Sequence, residues 1–201
     1  MHLNWSNVIV FAPHPDDAEI GCGGLLSMLS LEEVSVHVLT CDPVDRKKEA
    51  EVGALTLGVP LNNVTFHFFP QHELPEQSQK LLQLMESLRG SWESLVLVPA
   101  GGDNHQDHRA TFDAARRAFR GYSILGYEIP RSNWDFSPTV YFPLTEAAVE
   151  RKIKAVRAHS SQTCKQFMKE EVLRGTLAMR GAQIGVHYAE AYEGVRTILH
   201  A

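Results

Sequence analysis

The stretch FAPHPDDAEIGCGG, residues 11–24, contains side chains that can bind a metal ion or move a proton. His14 and Asp17 are three residues apart across a turn that begins at Pro15. An imidazole nitrogen and a carboxylate oxygen both suit Zn²⁺ at about 2.0–2.2 Å. Because adjacent side chains tend to diverge, Asp16 can face a ligand while Asp17 binds metal, or the reverse. The alternative is that an aspartate caps the following helix, since Asp is a favoured N-cap residue.

A second stretch, GGDNHQDHRA at 101–110, repeats this pattern. It also follows an apolar segment, LVLVPA, and also opens a segment with helical character. His105 and His108 are three residues apart and therefore project from one helical face, with Asp107 between them. Three protein ligands and an open position are typical of catalytic zinc sites. The two stretches together predict one metal site, the alternative being solvated polar residues in the first turn of a helix.

The rest of the chain alternates short apolar segments with longer amphipathic ones. Strands are predicted at 7–12, 34–40, 64–69, 94–100, 123–127 and 139–144. Helices are predicted at 18–30, 45–58, 75–90, 106–121 and 145–161. This alternation favours parallel pairing through right-handed crossovers, hence a layered α/β domain with a mainly parallel sheet. Ligands of such sheets bind beyond the carboxyl ends of the strands, where both polar stretches lie.

Length and composition limit the classes of protein that fit. The chain has 201 residues, 44% of them hydrophobic and 21% charged, and a net charge of −5. We expect a single domain spanning 1–201. No cluster of Lys and Arg suits nucleic acid, and no apolar run approaches the roughly 20 residues that span a bilayer. Three scattered cysteines without a CxxC spacing, and no signal peptide, favour the cytoplasm.

The glycines that follow the first polar stretch have a structural interpretation. Gly21, Gly23 and Gly24 do not form the GxGxxG pattern of dinucleotide-binding folds. We therefore interpret them as close packing of a helix on the sheet, with a phosphate cradle as the alternative.

The polar stretches resemble the LmbE-like, PIG-L family of zinc-dependent de-N-acetylases. PHPDDAEIGCGG and HQDH carry the resemblance most specifically. Weaker support comes from RKKEAEVGALTLGV (46–59), KIKAVRAHSSQ (152–162) and HYAEAY (187–192), so the match runs over most of the chain. The resemblance implies a Rossmann-like three-layer α/β fold and hydrolysis of the acetamide of an N-acetylglucosamine-type sugar. It also implies a homo-oligomer.

The same resemblance assigns roles by position. It implies one zinc ion per chain, with the ligands His14, Asp17 and His108. Asp16 would be the general base that takes a proton from the attacking water. His105 would be the general acid or the oxyanion stabiliser, held by Asp107. Zinc would lower the pKa of bound water toward about 7 and polarise the carbonyl group.

Three further residues are candidates for binding the substrate. Arg46 and Arg131 follow predicted strands and could contact a sugar or a phosphate. Tyr188 could line the same pocket. The alternatives are solvent-facing arginines and a tyrosine used in core or surface packing.

Residue types and spacing alone leave two other functions to be considered. A metal-dependent phosphoesterase acting on a sugar- or nucleotide-type substrate would need bridging carboxylates and a second metal about 3.5–4 Å from the first, whereas the sequence indicates one ligand set. A non-catalytic nucleotide-binding module would explain the fold but not the His–Asp stretches. Metal content distinguishes the three hypotheses. The de-N-acetylase would hold one zinc ion per chain, the phosphoesterase two metal ions, and the nucleotide-binding module none.

Overall fold

The structure of the protein, a computed structural model, describes residues 5–29, 34–41 and 45–198. Within these ranges the chain forms one seven-stranded sheet flanked by helices. The strands are β1 Asn7–Ala12, β2 Val34–Thr40, β3 Val64–Phe69, β4 Ser94–Pro99, β5 Ser123–Tyr127, β6 Val140–Pro143 and β7 Ala189–Arg196. The helices are α1 Asp17–Leu26, α2 Asp45–Leu57, α3 Ser78–Ser87, α4 Gln106–Ala118, α5 Glu146–Arg157 and α6 Glu170–Ala182. None of these helices has the length and apolar character needed to cross a bilayer.

The sheet is mainly parallel, as the alternation of elements predicted. Its order is β3-β2-β1-β4-β5-β7-β6. β1 pairs in parallel with both β2 and β4, although β4 follows two intervening strands in the chain. β7 inserts between β5 and β6 and is antiparallel to both. The reversal of strand order beside β1 creates a crevice at the carboxyl ends of β1 and β4, where ligands bind in open α/β sheets.

The two faces of the sheet are covered by different helices, so the domain has three layers. Along β1, Val8 and Val10 belong to one core cluster, whereas Ile9 and Phe11 belong to the other. This alternation follows from the period of two in a strand. Side chains of α1, α2, α5 and α6 complete the first cluster, and those of α3 and α4 complete the second. The three-layer α/β prediction is confirmed.

Two elements were not predicted, and several boundaries differ. These elements are α6 and β7. The strand was missed because its sequence, AEAYEGVR, alternates weakly and contains a glycine and three charged residues. The helix predicted at 18–30 ends at Leu26, and position 30 lies outside the described residues. The helix predicted at 145–161 ends at Arg157 and is followed by a short 3₁₀ helix, Ser160–Gln162.

Helix α1 packs very closely against its neighbours. A Cβ added to Gly21 would overlap the ring of Tyr127 on β5. A Cβ added to Gly24 would lie 2.9 Å from Oε1 of Glu190 on β7. These contacts confirm that Gly21 and Gly24 allow the helix to approach the sheet, whereas a Cβ added to Gly23 would face Lys152 on α5 and Leu57 on α2.

A buried ion pair holds the middle of α1. Oε1 and Oε2 of Glu190 accept the backbone N–H groups of Gly24 and Leu25, each at 2.7 Å. Nζ of Lys152, on α5, bonds both Oε1 of Glu190 and the carbonyl oxygen of Ile20. The ion pair therefore bonds two N–H groups and one carbonyl group of α1, which in a regular helix bond other backbone atoms. It also ties α5 and β7 to the helix whose first residue is Asp17.

Candidate metal centre

The pairing of β1 with β4 brings the two polar stretches together. The register matches Asn7 with Ser94 and Val10 with Leu97. The loops that leave these two strands therefore start side by side. As a result, His14 and His108, which are 94 positions apart in the chain, lie in contact.

Three donor atoms converge at the floor of the crevice. Nδ1 of His14 lies 3.1 Å from Oδ2 of Asp17 and 3.2 Å from Nε2 of His108. Nε2 of His108 lies 3.3 Å from the same oxygen of Asp17. All three residues are buried, and they form a group that could hold a metal ion.

The two histidines are held by carboxylates on their far nitrogens. Nε2 of His14 lies 3.2 Å from Oδ2 of Asp107, and Nδ1 of His108 lies 2.8 Å from Oδ2 of Asp103. If each far nitrogen carries the proton, each near nitrogen presents its lone pair to the site. Carboxylates orient metal-binding histidines in this way in many metalloproteins.

The donor set fits a zinc ion. Tetrahedral bonds of about 2.0–2.1 Å separate neighbouring donors by roughly 3.3–3.4 Å. The three measured separations, 3.1 to 3.3 Å, are close to that value. Two imidazoles and one carboxylate also suit zinc better than the harder cations Mg²⁺ and Ca²⁺, which prefer oxygen ligands.

The pKa values of these groups reflect a strongly polar, buried cluster. Burial lowers the pKa of His14, but the charge of Asp17 and hydrogen bonds to Asp107 and Asp17 outweigh it, and the pKa rises to about 8. Burial likewise lowers the pKa of His108, but Asp17 and Asp103 raise it to about 10. Burial raises the pKa of Asp17, yet the two histidines hold it well below its usual range. The cluster therefore favours positive charge.

Asp16 is not part of this donor group and does not cap α1. Although it is the N-cap residue, its side chain makes no cap hydrogen bond. Instead, Oδ1 of Asp16 lies 3.0 Å from a guanidinium nitrogen of Arg46, and both side chains are buried. Asp17 does not cap the helix either, because its Oδ2 accepts the backbone N–H of His14 at 2.8 Å. Neither aspartate therefore fits the helix-cap alternative.

His105 begins α4 and its ring is fixed by the backbone. Nδ1 of His105 accepts the N–H of Asp107 at 3.1 Å, and the backbone N–H of His105 donates to Oδ1 of Asp103 at 2.7 Å. Burial, together with the nearby His14 and His108, lowers the pKa of His105 to about 4. The ring is therefore neutral at pH 7, with its proton on Nε2.

The carboxylate of Asp107 does not hold His105, in contrast to the expectation from the sequence. It contacts His14, and it accepts the backbone N–H groups of His72 at 2.8 Å and Leu74 at 3.2 Å. Only the backbone of Asp107 reaches the ring of His105. The carboxylate therefore orients a metal-ligand candidate and anchors the loop that follows β3.

A pocket with a volume of about 490 Å³ opens above the donor atoms. Its floor includes His14, Asp16, Asp17, Arg46, His105 and His108. Its rim includes Gln71, His72, Asn104, Arg131, Trp134, Lys165 and Phe167. The guanidinium of Arg131 lies 5.6 Å from the centre of the Phe167 ring, and Nζ of Lys165 lies 5.8 Å from it. Trp134 is 77% exposed, so its ring faces solvent at the pocket edge.

Of the three substrate-binding candidates, two line this pocket and one does not. Arg46 and Arg131 are lining residues. Tyr188 is not: it lies just before β7 and packs against the first core cluster.

Two residues near the site were missed by sequence reasoning. Asp103 is buried and bonds His108, the backbone of His105 and the hydroxyl of Ser132, the last at 2.9 Å. Its signal was a second aspartate, beside Asp107, in the stretch that follows β4. His72 has no such signal, yet it joins His14, His105 and Asp107 in a second group whose donor atoms lie within 4.8 Å of one another. From the sequence, only one set of metal ligands was predicted.

This α/β fold, with a His–Asp donor set at the carboxyl ends of its strands, defines a candidate metal-dependent hydrolase. A family model described as PIG-L, GlcNAc-PI de-N-acetylase, matches residues 9–119. The match covers more than half of the chain and includes both polar stretches. The protein belongs to the PIG-L (LmbE-like) family, which confirms the resemblance seen in the sequence.

Individual relatives agree with this membership. A protein named uncharacterized deacetylase YaiS, from Escherichia coli, is 26% identical over 168 residues, covering 77% of this chain and 90% of its own. The conserved protein TT1542 of Thermus thermophilus is 27% identical, with a TM-score of 0.77 and 97% of both chains covered. The N,N'-diacetylchitobiose deacetylase of Pyrococcus horikoshii is 26% identical, with a TM-score of 0.74 over 94% of this chain and 83% of its own. These likenesses support de-N-acetylation.

Proposed function

We propose that this protein is a zinc-dependent hydrolase that removes the acetyl group from an N-acetylglucosamine-type sugar or its conjugate. The observation that carries the proposal is the convergence of His14, Asp17 and His108, whose donor atoms lie 3.1–3.3 Å apart below an open pocket. These three residues would hold one zinc ion per chain. When bound, zinc would make water more acidic and polarise the acetamide carbonyl group.

Asp16 would act as the general base. Its carboxylate lines the pocket floor beside the donor atoms and is free of any helix cap. The contact of 3.0 Å with Arg46 orients it. It would accept a proton from the attacking water and return it to the departing amine nitrogen, so that the proton count balances over the reaction. Arg46 is thus a positioning residue in this proposal rather than a sugar contact.

His105 would stabilise the oxyanion rather than act as the acid. Because Nδ1 accepts the N–H of Asp107, the proton of the neutral ring is on Nε2, which can donate to the acetamide oxygen. In an imidazolium, Nδ1 would also carry a proton, and it could no longer accept the N–H of Asp107. Asp107 acts through His14 and the loop at His72, so it too is a positioning residue.

The rim of the pocket suits a sugar substrate. Trp134 presents an exposed ring, and aromatic faces are apolar surfaces with a polar edge that sugars commonly pack against. Arg131 and Lys165 flank Phe167 and could donate hydrogen bonds to hydroxyl groups. The chitobiose deacetylase that this chain resembles acts on an N-acetylated sugar, which supports the same substrate class.

Acetate release tests the proposal directly. We expect zinc-loaded protein to release acetate from at least one member of a panel of N-acetylglucosamine conjugates, and metal-stripped protein to release none until zinc is restored. Acetate is measured with a coupled assay and zinc by elemental analysis. Release of phosphate from phosphorylated sugars without release of acetate would replace the proposal with the phosphoesterase alternative, and inactivity of the zinc-loaded protein on both panels would refute it.

The role of His105 gives a second prediction. Replacing His105 with Ser keeps a hydroxyl that can cap α4 but removes the imidazole. We expect kcat to fall by about 10²–10³-fold, as when an oxyanion donor is lost, while one zinc ion per chain stays bound to His14, Asp17 and His108. His108→Ala should instead lower the zinc content. His187, which is exposed and outside the pocket, supplies the control His187→Ser. Full activity in His105→Ser, or equal loss of zinc in the His105 and His108 variants, would contradict the assignment.

A further inference from the structure

His72 has a strained backbone at the edge of the pocket. Its φ is +67°, a conformation that is uncommon for any residue other than glycine. Strain of this kind persists where surrounding contacts impose it, and it is common at functional sites. Here the contact is a hydrogen bond of 2.8 Å from the backbone N–H of His72 to Oδ2 of Asp107. The exposed side chain of His72 is thereby held in the pocket.

The imidazoles around His72 are close to one another. The ring centre of His72 lies 5.5 Å from that of His105 and 6.3 Å from that of His14. Their donor atoms and those of Asp107 all lie within 4.8 Å of each other. His14 is already committed, since Nδ1 faces the first donor set and Nε2 faces Asp107. His72, His105 and Asp107 therefore form a donor group separate from the first one.

We propose that His72, His105 and Asp107 form a second, weaker site for a divalent transition-metal ion. Two imidazoles and a carboxylate are ligands that Zn²⁺ accepts. Oδ1 of Asp107 accepts only the N–H of Leu74 among the described contacts, so it retains a lone pair. Occupation of this site requires the donors to approach one another from separations of up to 4.8 Å, whereas the first set is nearly in place. The second site therefore binds metal less tightly.

Occupation of the second site would take His105 out of the reaction. A metal ion on Nε2 of His105 moves the ring proton to Nδ1 and breaks the hydrogen bond from the Asp107 N–H. Nε2 then has no proton to donate to the acetamide oxygen. Excess zinc would thus inhibit the enzyme without displacing the metal of the first site. This inhibitory effect rests on the proposed function, whereas the binding of a second metal ion does not.

Zinc titration of the full chain tests the site. We expect the parent protein to bind two zinc ions per chain, one tightly and one weakly, by calorimetry and elemental analysis. His72→Asn and His72→Gly both tolerate a positive φ, so they remove the imidazole without adding strain. Each should bind one zinc ion. The control His187→Asn removes an exposed imidazole elsewhere and should bind two. Saturation of the parent at one zinc ion, or two in both His72 variants, would overturn the second site.

Inhibition by zinc is measured separately, relative to the activity of each variant at one zinc per chain. In His72→Asn the half-inhibitory zinc concentration should rise by at least about tenfold, because a ligand of the second site is lost and even the loss of a group that orients a ligand costs about 10–100-fold in affinity. An unchanged value, with the second zinc lost, would refute the link to His105. Absence of any deacetylase activity would refute the proposed function and leave the metal stoichiometry as the test of the site.

Discussion

Replacing Asp16 with Asn should abolish most deacetylase activity while leaving zinc bound. The amide cannot accept a proton from water, and loss of a general base costs about 10²–10⁴-fold in kcat. Metal binding should survive, because the carboxylate of Asp16 contacts Arg46 and is absent from the donor group of His14, Asp17 and His108. An asparagine oxygen can still accept a hydrogen bond from Arg46, so the local geometry is retained.

The measurements are kcat for acetate release and zinc per chain, on the same preparation. Asp113→Asn is the matched control, because Asp113 is exposed on α4 and pairs only with Arg116 among the described residues. It should behave like the parent. Metal-free Asp16→Asn protein would make Asp16 a ligand and reverse the assignment of the two adjacent aspartates. Full activity with zinc bound would remove Asp16 from the reaction.

Replacing Glu190 with Ala should cause a large loss of stability. The change leaves the ammonium group of Lys152 buried without its carboxylate and removes the bonds that Glu190 accepts from the N–H groups of Gly24 and Leu25. Removing one partner of a buried ion pair typically costs about 3–5 kcal/mol of unfolding free energy. Because Glu190 supports α1, whose first residue is Asp17, zinc affinity should also fall.

Denaturant titration measures this loss as a lower midpoint at an unchanged slope. Glu86→Ala is the matched control, since Glu86 pairs with Arg89 at 3.0 Å on the surface of α3. Exposed pairs of this kind contribute only about 0–1 kcal/mol. If Glu190→Ala were no more destabilising than Glu86→Ala, the buried pair would not be what holds α1 in place.

Much of the fold and the core of the site could be predicted locally. The apolar segments that became β1 and β4, and the polar stretches that follow them, are continuous in the sequence. Parallel strands place such stretches at one edge of the sheet, which is why His14 and His108 could be expected to meet. The antiparallel β7 could not be predicted in this way, because its pattern is weak and its pairing depends on neighbours distant in the chain.

The sequence by itself determined two things: His–Asp stretches at two strand ends, which predict a metal site, and a resemblance to the PIG-L family, which the family model confirms. Only the tertiary structure decided the partners of each polar group. Asp107 holds His14 instead of the ring of His105, Asp16 pairs with Arg46, and Tyr188 lies outside the pocket. The physical reason is that secondary structure follows short-range periodicity, whereas these contacts depend on the order of strands in the sheet and on loop backbones such as that of His72.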